Sequence, residues 1–355
     1  MKHPLQASFL AFLAALCISA TSRASEPVRF LVLGDCRNYP GFTTLLKSAK
    51  ALPDGPGTFV ITPGDIDPPD LVRTEIAKTI GKNIPWFPVV GNHDANKTSM
   101  TYLRNYLAKE LPALFPPHIS AFTPGPPGAA ESTYSFDAGP VHIAVINEYW
   151  DGTKTRDADF KSREDVVPAL NQWLDADLKK STQPWKIVVG HEPAFPQADQ
   201  DWSRLEPKVN SERHAESSLN AKVEHRDAFV KTLADNHVTA YFCGHTHRYS
   251  RFQMPNTSIW QIDSAQARGE TKSWKYDAFL IVAASDTEFK VSVYRNLKTR
   301  GTFELTDHLD LPTPAATPAA TQAATQLQPT PPPAKPPANN TSPETNAPIP
   351  QAGRV

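Results

Sequence analysis

Val238–Cys243 runs directly into Gly244-His245-Thr246-His247, and Phe87–Val90 runs directly into Gly91-Asn92-His93-Asp94. Three further apolar runs end in the same way. Val28–Leu33 leads to Gly34-Asp35-Cys36-Arg37, Thr58–Thr62 to Pro63-Gly64-Asp65-Ile66-Asp67, and Trp185–Val189 to Gly190-His191-Glu192-Pro193. Each run is rich in β-branched or aromatic residues and has little period-two alternation, the mark of strands covered on both faces. In an open α/β sheet, ligands bind beyond the carboxyl ends of the strands. Glycine lets the backbone turn sharply there and approach a ligand closely. The five turns are therefore expected to converge on one place.

Working outward, a sixth strand is expected at Val141–Ile146, followed by Asn147-Glu148-Tyr149-Trp150. Helical patterns separate the runs at Phe42–Leu52, Asp70–Ile80, Thr98–Leu111, Asp165–Lys180 and Ser217–Asn236. Later runs, Ile259–Ile262, Ala278–Ala284 and Glu288–Tyr294, follow one another without intervening helices. The pattern predicts an α/β core with an antiparallel addition.

The converging donors are carboxylates from Asp35 and Asp65, the amide oxygen of Asn92, and imidazoles from His191, His245 and His247. Mixed nitrogen and oxygen ligands suit zinc, manganese or iron better than calcium or magnesium alone. Six side chains exceed the needs of one tetrahedral ion and fit two divalent or trivalent ions with a bridging carboxylate. Such a pair binds a shared water, lowers its pKa and stabilises charge in an in-line displacement at phosphorus. His93, beside Asn92, can protonate a leaving group, with the adjacent Asp94 holding its tautomer.

This order of motifs resembles the calcineurin-like metallophosphoesterase superfamily, which includes the purple acid phosphatases; the resemblance covers Val28 to Tyr294, and GNHD and GHTH are its specific parts. It implies a four-layer α/β/β/α sandwich of two mixed sheets around a dinuclear site. By motif position, Asp35, Asp65 and His247 would bind one ion. Asp65, Asn92, His191 and His245 would bind the other, with Asp65 bridging. His93 matches the family's substrate-facing histidine and Asp94 its orienting carboxylate. One position departs from the pattern: the first motif, usually Asp-x-His, reads Asp35-Cys36-Arg37. The tyrosine that replaces this histidine in purple acid phosphatases would fall at Pro68. Three outcomes stay open: a water completes the shell, Asp67 turns in, or the protein works with one ion. A guanidinium stays protonated and cannot ligate a metal. Arg37 either grips a substrate phosphate oxygen or pairs with Asp67 or another carboxylate.

The ends differ from the middle. Met1-Lys2-His3-Pro4, an apolar run over 7–20 and Ser22 and Ala24 before Ser25 describe a secretory signal over residues 1–24. The expected address is secreted or periplasmic, with no membrane span left after cleavage. A catalytic domain is expected over 25–310. From 311 to 355, proline, alanine, threonine, glutamine and asparagine dominate, the composition of a disordered tail. A net charge of −1 gives no footprint for wrapping a nucleic-acid backbone. Past the signal, only Cys36 and Cys243 remain, too few for a disulfide scaffold; they form one bridge or stay as buried thiols.

Three loops bear on substrate choice. Tyr149 and Trp150 either stack on a ligand or cover the core edge. Residues 197–220 are a candidate lid that Trp202 could anchor, and 124–128 form a Pro/Gly-rich loop. His118, His142, His225, His237 and His308 fit no motif. The expected activity is hydrolysis of small phosphate mono- or diesters by attack of a metal-bound hydroxide. The alternatives are a nucleotide phosphodiesterase or nucleotidase, and a catalytically impaired metal- or phosphate-binding protein.

Overall fold

Three parallel strands, β1 (Val28–Val32), β2 (Val60–Thr62) and β3 (Trp86–Pro88), lie side by side at the start of the chain. In the computed structural model, which describes residues 25–37, 40–155, 157–201, 214, 216–269 and 274–312, they form half of a six-stranded sheet. The antiparallel half is β11 (Ala278–Ala284), β12 (Glu288–Arg295) and β13 (Glu304–Pro312), with β11 against β1. The second sheet has seven strands in the order β4-β5-β6-β7-β8-β10-β9. Its centre is parallel: β6 (Val141–Val145), β7 (Trp185–Val189), β8 (Ala240–Cys243) and β10 (Trp260–Ser264). Around it lie β4 (Ile119–Pro124), β5 (Tyr134–Ala138) and β9 (Tyr249–Gln253).

The two sheets pack face to face. Phe87 of β3 stacks on Phe136 of β5 with ring centroids 3.9 Å apart, and Phe59 meets the same ring edge-on. Helices α1 (Phe42–Lys50), α2 (Pro69–Thr79) and α3 (Lys97–Asn105) belong to the core that includes the first sheet. Helices α4 (Pro168–Lys180) and α5 (Val223–Asp235) cover the outer face of the second. Leu170, Leu174, Phe229 and Leu233 pack there with Val188, Tyr241 and Cys243, while Ile187, Val189 and Phe242 face the other sheet. The alternation is that of strands buried on both sides, and the architecture is the expected sandwich of two mixed sheets.

Several boundaries move. The helix expected to run to Leu111 ends at Asn105 and continues as a π turn (Tyr106–Glu110) and a 3-10 turn (Leu111–Leu114). Pro112 supplies no amide hydrogen and disfavours continuation. The folded part passes the expected boundary at 310, because Leu311 and Pro312 pair with Phe289 and Glu288. Residues 1–24 and the rest of the tail lie outside the described residues. β4, β9 and β13, absent from the sequence reading, are edge strands whose half-exposed, mixed composition hides the strand signal. β5 was hidden by the polar residues on its other face, Ser135 and Asp137.

Those polar residues surround His142, which sits 2.7 Å from Asp137 and 2.9 Å from Asp177 through its two ring nitrogens. Burial opposes its charge, but the two carboxylates outweigh burial and raise it to about 9. A base with a raised folded-state pKa stabilises fully below its unfolded value of about 6.5 and loses that contribution as pH rises through the folded value. His142→Leu is therefore expected to lower Tm most below about pH 6.5 and progressively less towards pH 9. A deficit that stays constant across that range would show that the pair does not titrate as described.

Candidate metal centre

The carboxyl ends of β1, β2, β3, β7 and β8 meet at one rim of the sandwich, and the turns leaving them are strained. Asp35, Asp65, His245 and His247 all have left-handed backbones, with φ of 49°, 51°, 68° and 58°. Such conformations cost a non-glycine residue about 1–3 kcal/mol each and persist only where the surroundings enforce them. Here the turns interlock. The Asp35 amide donates to the Gly64 carbonyl at 3.0 Å, and the His245 amide donates to Asp35 Oδ2 at 2.9 Å. Gly64 (φ 79°) is required by close approach: a β-carbon there would lie 2.2 Å from His191 Nδ1.

Four of the expected ligands converge at one point. Asn92 Oδ1 lies 3.2 Å from His191 Nε2 and 3.2 Å from His245 Nδ1, and Asp65 Oδ1 lies 3.5 Å from His191 Nε2. Atoms bonded to one ion at about 2.0–2.1 Å stand roughly 3.0–3.4 Å apart at the corners of an octahedron or tetrahedron. Both imidazoles are oriented from behind. His191 Nδ1 is 2.8 Å from the Pro63 carbonyl, to which its N–H donates, so the Nε2 lone pair faces the site. His245 Nε2 faces Glu192 Oε2 at 3.3 Å, an oxygen with no other hydrogen-bonding partner. Glu192 is fully buried, its other oxygen accepts from the Tyr149 hydroxyl, and burial together with the Glu148 charge pushes its carboxyl well upward. Glu148 accepts from the amides of His191 and Glu192 and from the Tyr241 hydroxyl, and burial raises it to about 7. Two imidazoles, an amide oxygen and a carboxylate fit a transition-metal ion.

The other expected position is different. The ligating atoms of Asp35, Asp65 and His247 lie within 4.8 Å of one another, and His247 Nε2 is 3.2 Å from Asp35 Oδ1. Burial pushes the Asp35 carboxyl up to about 7, and Oδ1 has no hydrogen-bond partner. The Arg268 guanidinium, however, reaches in, with one terminal nitrogen 3.0 Å from His247 Nε2 and Nε 3.3 Å from the Asp35 carbonyl. The fit of a second ion is poor where a permanent cation already addresses the ligating nitrogen. Arg268 was not among the residues found in the sequence; it follows β10, whose carboxyl end lies beside that of β8, so the strand-end rule would have flagged it.

Arg37 takes the alternative open to it. Its Nε is 2.8 Å from Asp67 Oδ1 and a terminal nitrogen is 3.1 Å from Oδ2, so Asp67 is turned to the guanidinium rather than into the site. The expected contact between Asp94 and His93 is absent. The buried Asp94 carboxylate instead accepts from the amides of Ile66 and Gly91, tying the second and third turns together. Burial and the Asp65 charge push it well upward. His93 stands 43% exposed at the rim, its ring 3.8 Å from Asp65 Oδ2 and its amide donating to Asp65 Oδ1. Tyr149 and Trp150 are buried and cover the core edge. Of the candidate lid, 202–213 and 215, including Trp202, lie outside the described residues. The His214 ring lies against that of His245, tilted by 45° with centroids 4.4 Å apart. Cys36 and Cys243 are free, buried thiols.

Residues 28–249 match the family model described as calcineurin-like phosphoesterase. A curated relative, the "Probable inactive purple acid phosphatase 9" of Arabidopsis thaliana, is 23% identical over 269 residues, 65% of this chain and 37% of that protein. The chain thus spans little more than a third of that relative. Two solved structures share the fold. GAP50, described as the anchor in the inner membrane complex of Plasmodium, aligns with a TM-score of 0.50 at 14% identity, covering 82% of this chain and 90% of its own. PhoD aligns with a TM-score of 0.50 at 11% identity, covering 81% and 70%.

Proposed function

Because the chain belongs to the calcineurin-like phosphoesterase family, we propose that it is an exported, metal-dependent hydrolase of small phosphate mono- or diesters. The observation that carries this reading is the meeting of Asn92 Oδ1 with His191 Nε2 and His245 Nδ1 at 3.2 Å each. Asp65 completes the set that would hold the ion. When bound there, a metal ion supplies Lewis-acid polarisation of a phosphate oxygen and lowers the pKa of a water. The protein supplies the rest. Asn92 and His93 are the exposed members of the cluster, so an ester approaches over them. His93 gives a proton to the departing ester oxygen. Export is read from the signal-like sequence of residues 1–24; at the start of the folded part the Ser25 amide donates to Asp286 Oδ2 at 2.9 Å. Cleavage after Ala24 would turn that amide into an ammonium facing a carboxylate.

A second reading, a metal- or phosphate-binding protein without turnover, draws on the first motif, where Arg37 replaces a ligand and pairs with Asp67. One experiment separates the two, using protein recovered from outside the cytoplasm, whose first residue is then Ser25. His93→Ala is expected to lower kcat roughly 10²–10³-fold on an alkyl phosphate, whose leaving group needs the proton. The loss on an aryl phosphate should be smaller and the metal content unchanged. Wild-type protein that binds metal yet turns over neither ester class supports the binder instead.

A further inference from the structure

We infer that the centre holds one metal ion and that the guanidinium of Arg268 stands in place of the second, against His247 and Asp35. This rests on the metal centre proposed above and sets its stoichiometry. Three observations lead here. First, the Nε2 atom of His247 has one lone pair, which can face a metal ion or accept one N–H; Arg268 lies 3.0 Å from it. Second, the arginine is built into place. Its backbone amide donates to the buried Asp277 carboxylate at 3.2 Å and its Nε to the Asp35 carbonyl at 3.3 Å. The next residue, Gly269 (φ 74°), packs so tightly on Gly41 that a β-carbon on Gly41 would fall 2.4 Å from the Gly269 Cα. Third, the first motif lacks its histidine, and neither neighbour replaces it, since Arg37 and Asp67 are paired with each other.

The chemistry is consistent. Asp35 and Asp65 are buried together and need positive charge. A guanidinium supplies it permanently, because it does not deprotonate in proteins. A divalent ion brought within about 3 Å of that cation would be repelled strongly in a site of low dielectric. The planar donor fork can also pair bidentately with phosphate oxygens.

The test is metal content of the full exported chain after reconstitution with Mn(II) and desalting, read by elemental analysis and by electron paramagnetic resonance. Wild type is expected to hold about one ion per chain with the signal of an isolated Mn(II), and Arg268→Lys to do the same. Arg268→Ala is expected to rise towards about two ions, with a spin-coupled signal, because the His247 lone pair and Asp35 are then released to ligate. About two coupled ions in wild type would overturn the inference while leaving the metal centre intact. So would an Arg268→Ala variant that folds, by circular dichroism, and stays at about one. No retained ion in wild type or in either variant would overturn the metal centre itself, and this inference with it.

Discussion

His191→Ala is expected to release the bound ion and to lower kcat/KM by roughly 10³-fold or more, since a metal ion contributes several kcal/mol to such a transition state. His191 is fully buried. Its Nδ1 is held by the Pro63 carbonyl, and its Nε2 is aimed at the point where Asn92 Oδ1 and Asp65 Oδ1 also lie. Alanine removes one of four ligands and opens the site from behind, while Glu148 stays engaged by two amides and a hydroxyl. Elemental analysis and steady-state kinetics on the same preparation check this. A variant that keeps its metal and its activity would remove His191 from the centre and with it the convergence on which the functional reading stands.

The second large effect is on stability. Arg295 is 1% exposed and holds two aspartates at once: Asp199 through both terminal nitrogens at 2.9 and 2.8 Å, and Asp201 at 2.8 Å. Asp199 is itself buried and also accepts from the Tyr249 amide. The arginine thereby ties the segment after the His191 turn to β9 and β12. Breaking a buried ion pair by removing one partner leaves uncompensated charge and costs about 3–5 kcal/mol. Arg295→Met, close in length and without charge, is expected to lose that much in urea denaturation. Adding Asp199→Asn and Asp201→Asn should recover part of the loss, because the stranded charges go with the arginine. A loss below about 1 kcal/mol, within the range of ordinary surface substitutions, would show the network to be dispensable.

Much of the site was legible beforehand, for a local reason. Each ligand sits two to four residues beyond a strand-like run, and a parallel strand carries its carboxyl end to the same rim as its neighbours. Knowing that Asp35, Asp65, Asn92, His191 and His245 follow strands was therefore close to knowing that they meet. The six earlier strands were readable because nearly all their residues are buried and most are apolar. β4, β9 and β13 were not, because each leaves several residues exposed or half-exposed and mixes polar with apolar side chains.

Side-chain direction was the part that stayed hidden. Asp94 follows His93 in the chain, yet it turns inward to the Ile66 and Gly91 amides while His93 faces outward. Arg37 occupies the place of a ligand in the motif but closes on Asp67. Arg268 belongs to no motif, lies more than twenty residues past the last one, and nevertheless addresses His247. From the sequence alone came the α/β class, the rim and the donor atoms, because these depend on short-range patterns and on how parallel strands align. Only the tertiary structure decided which partner each side chain meets there. That choice turns on left-handed turns at Asp35, Asp65, His245 and His247 and on charges brought together from distant parts of the chain. Neither leaves a periodic trace among neighbouring residues.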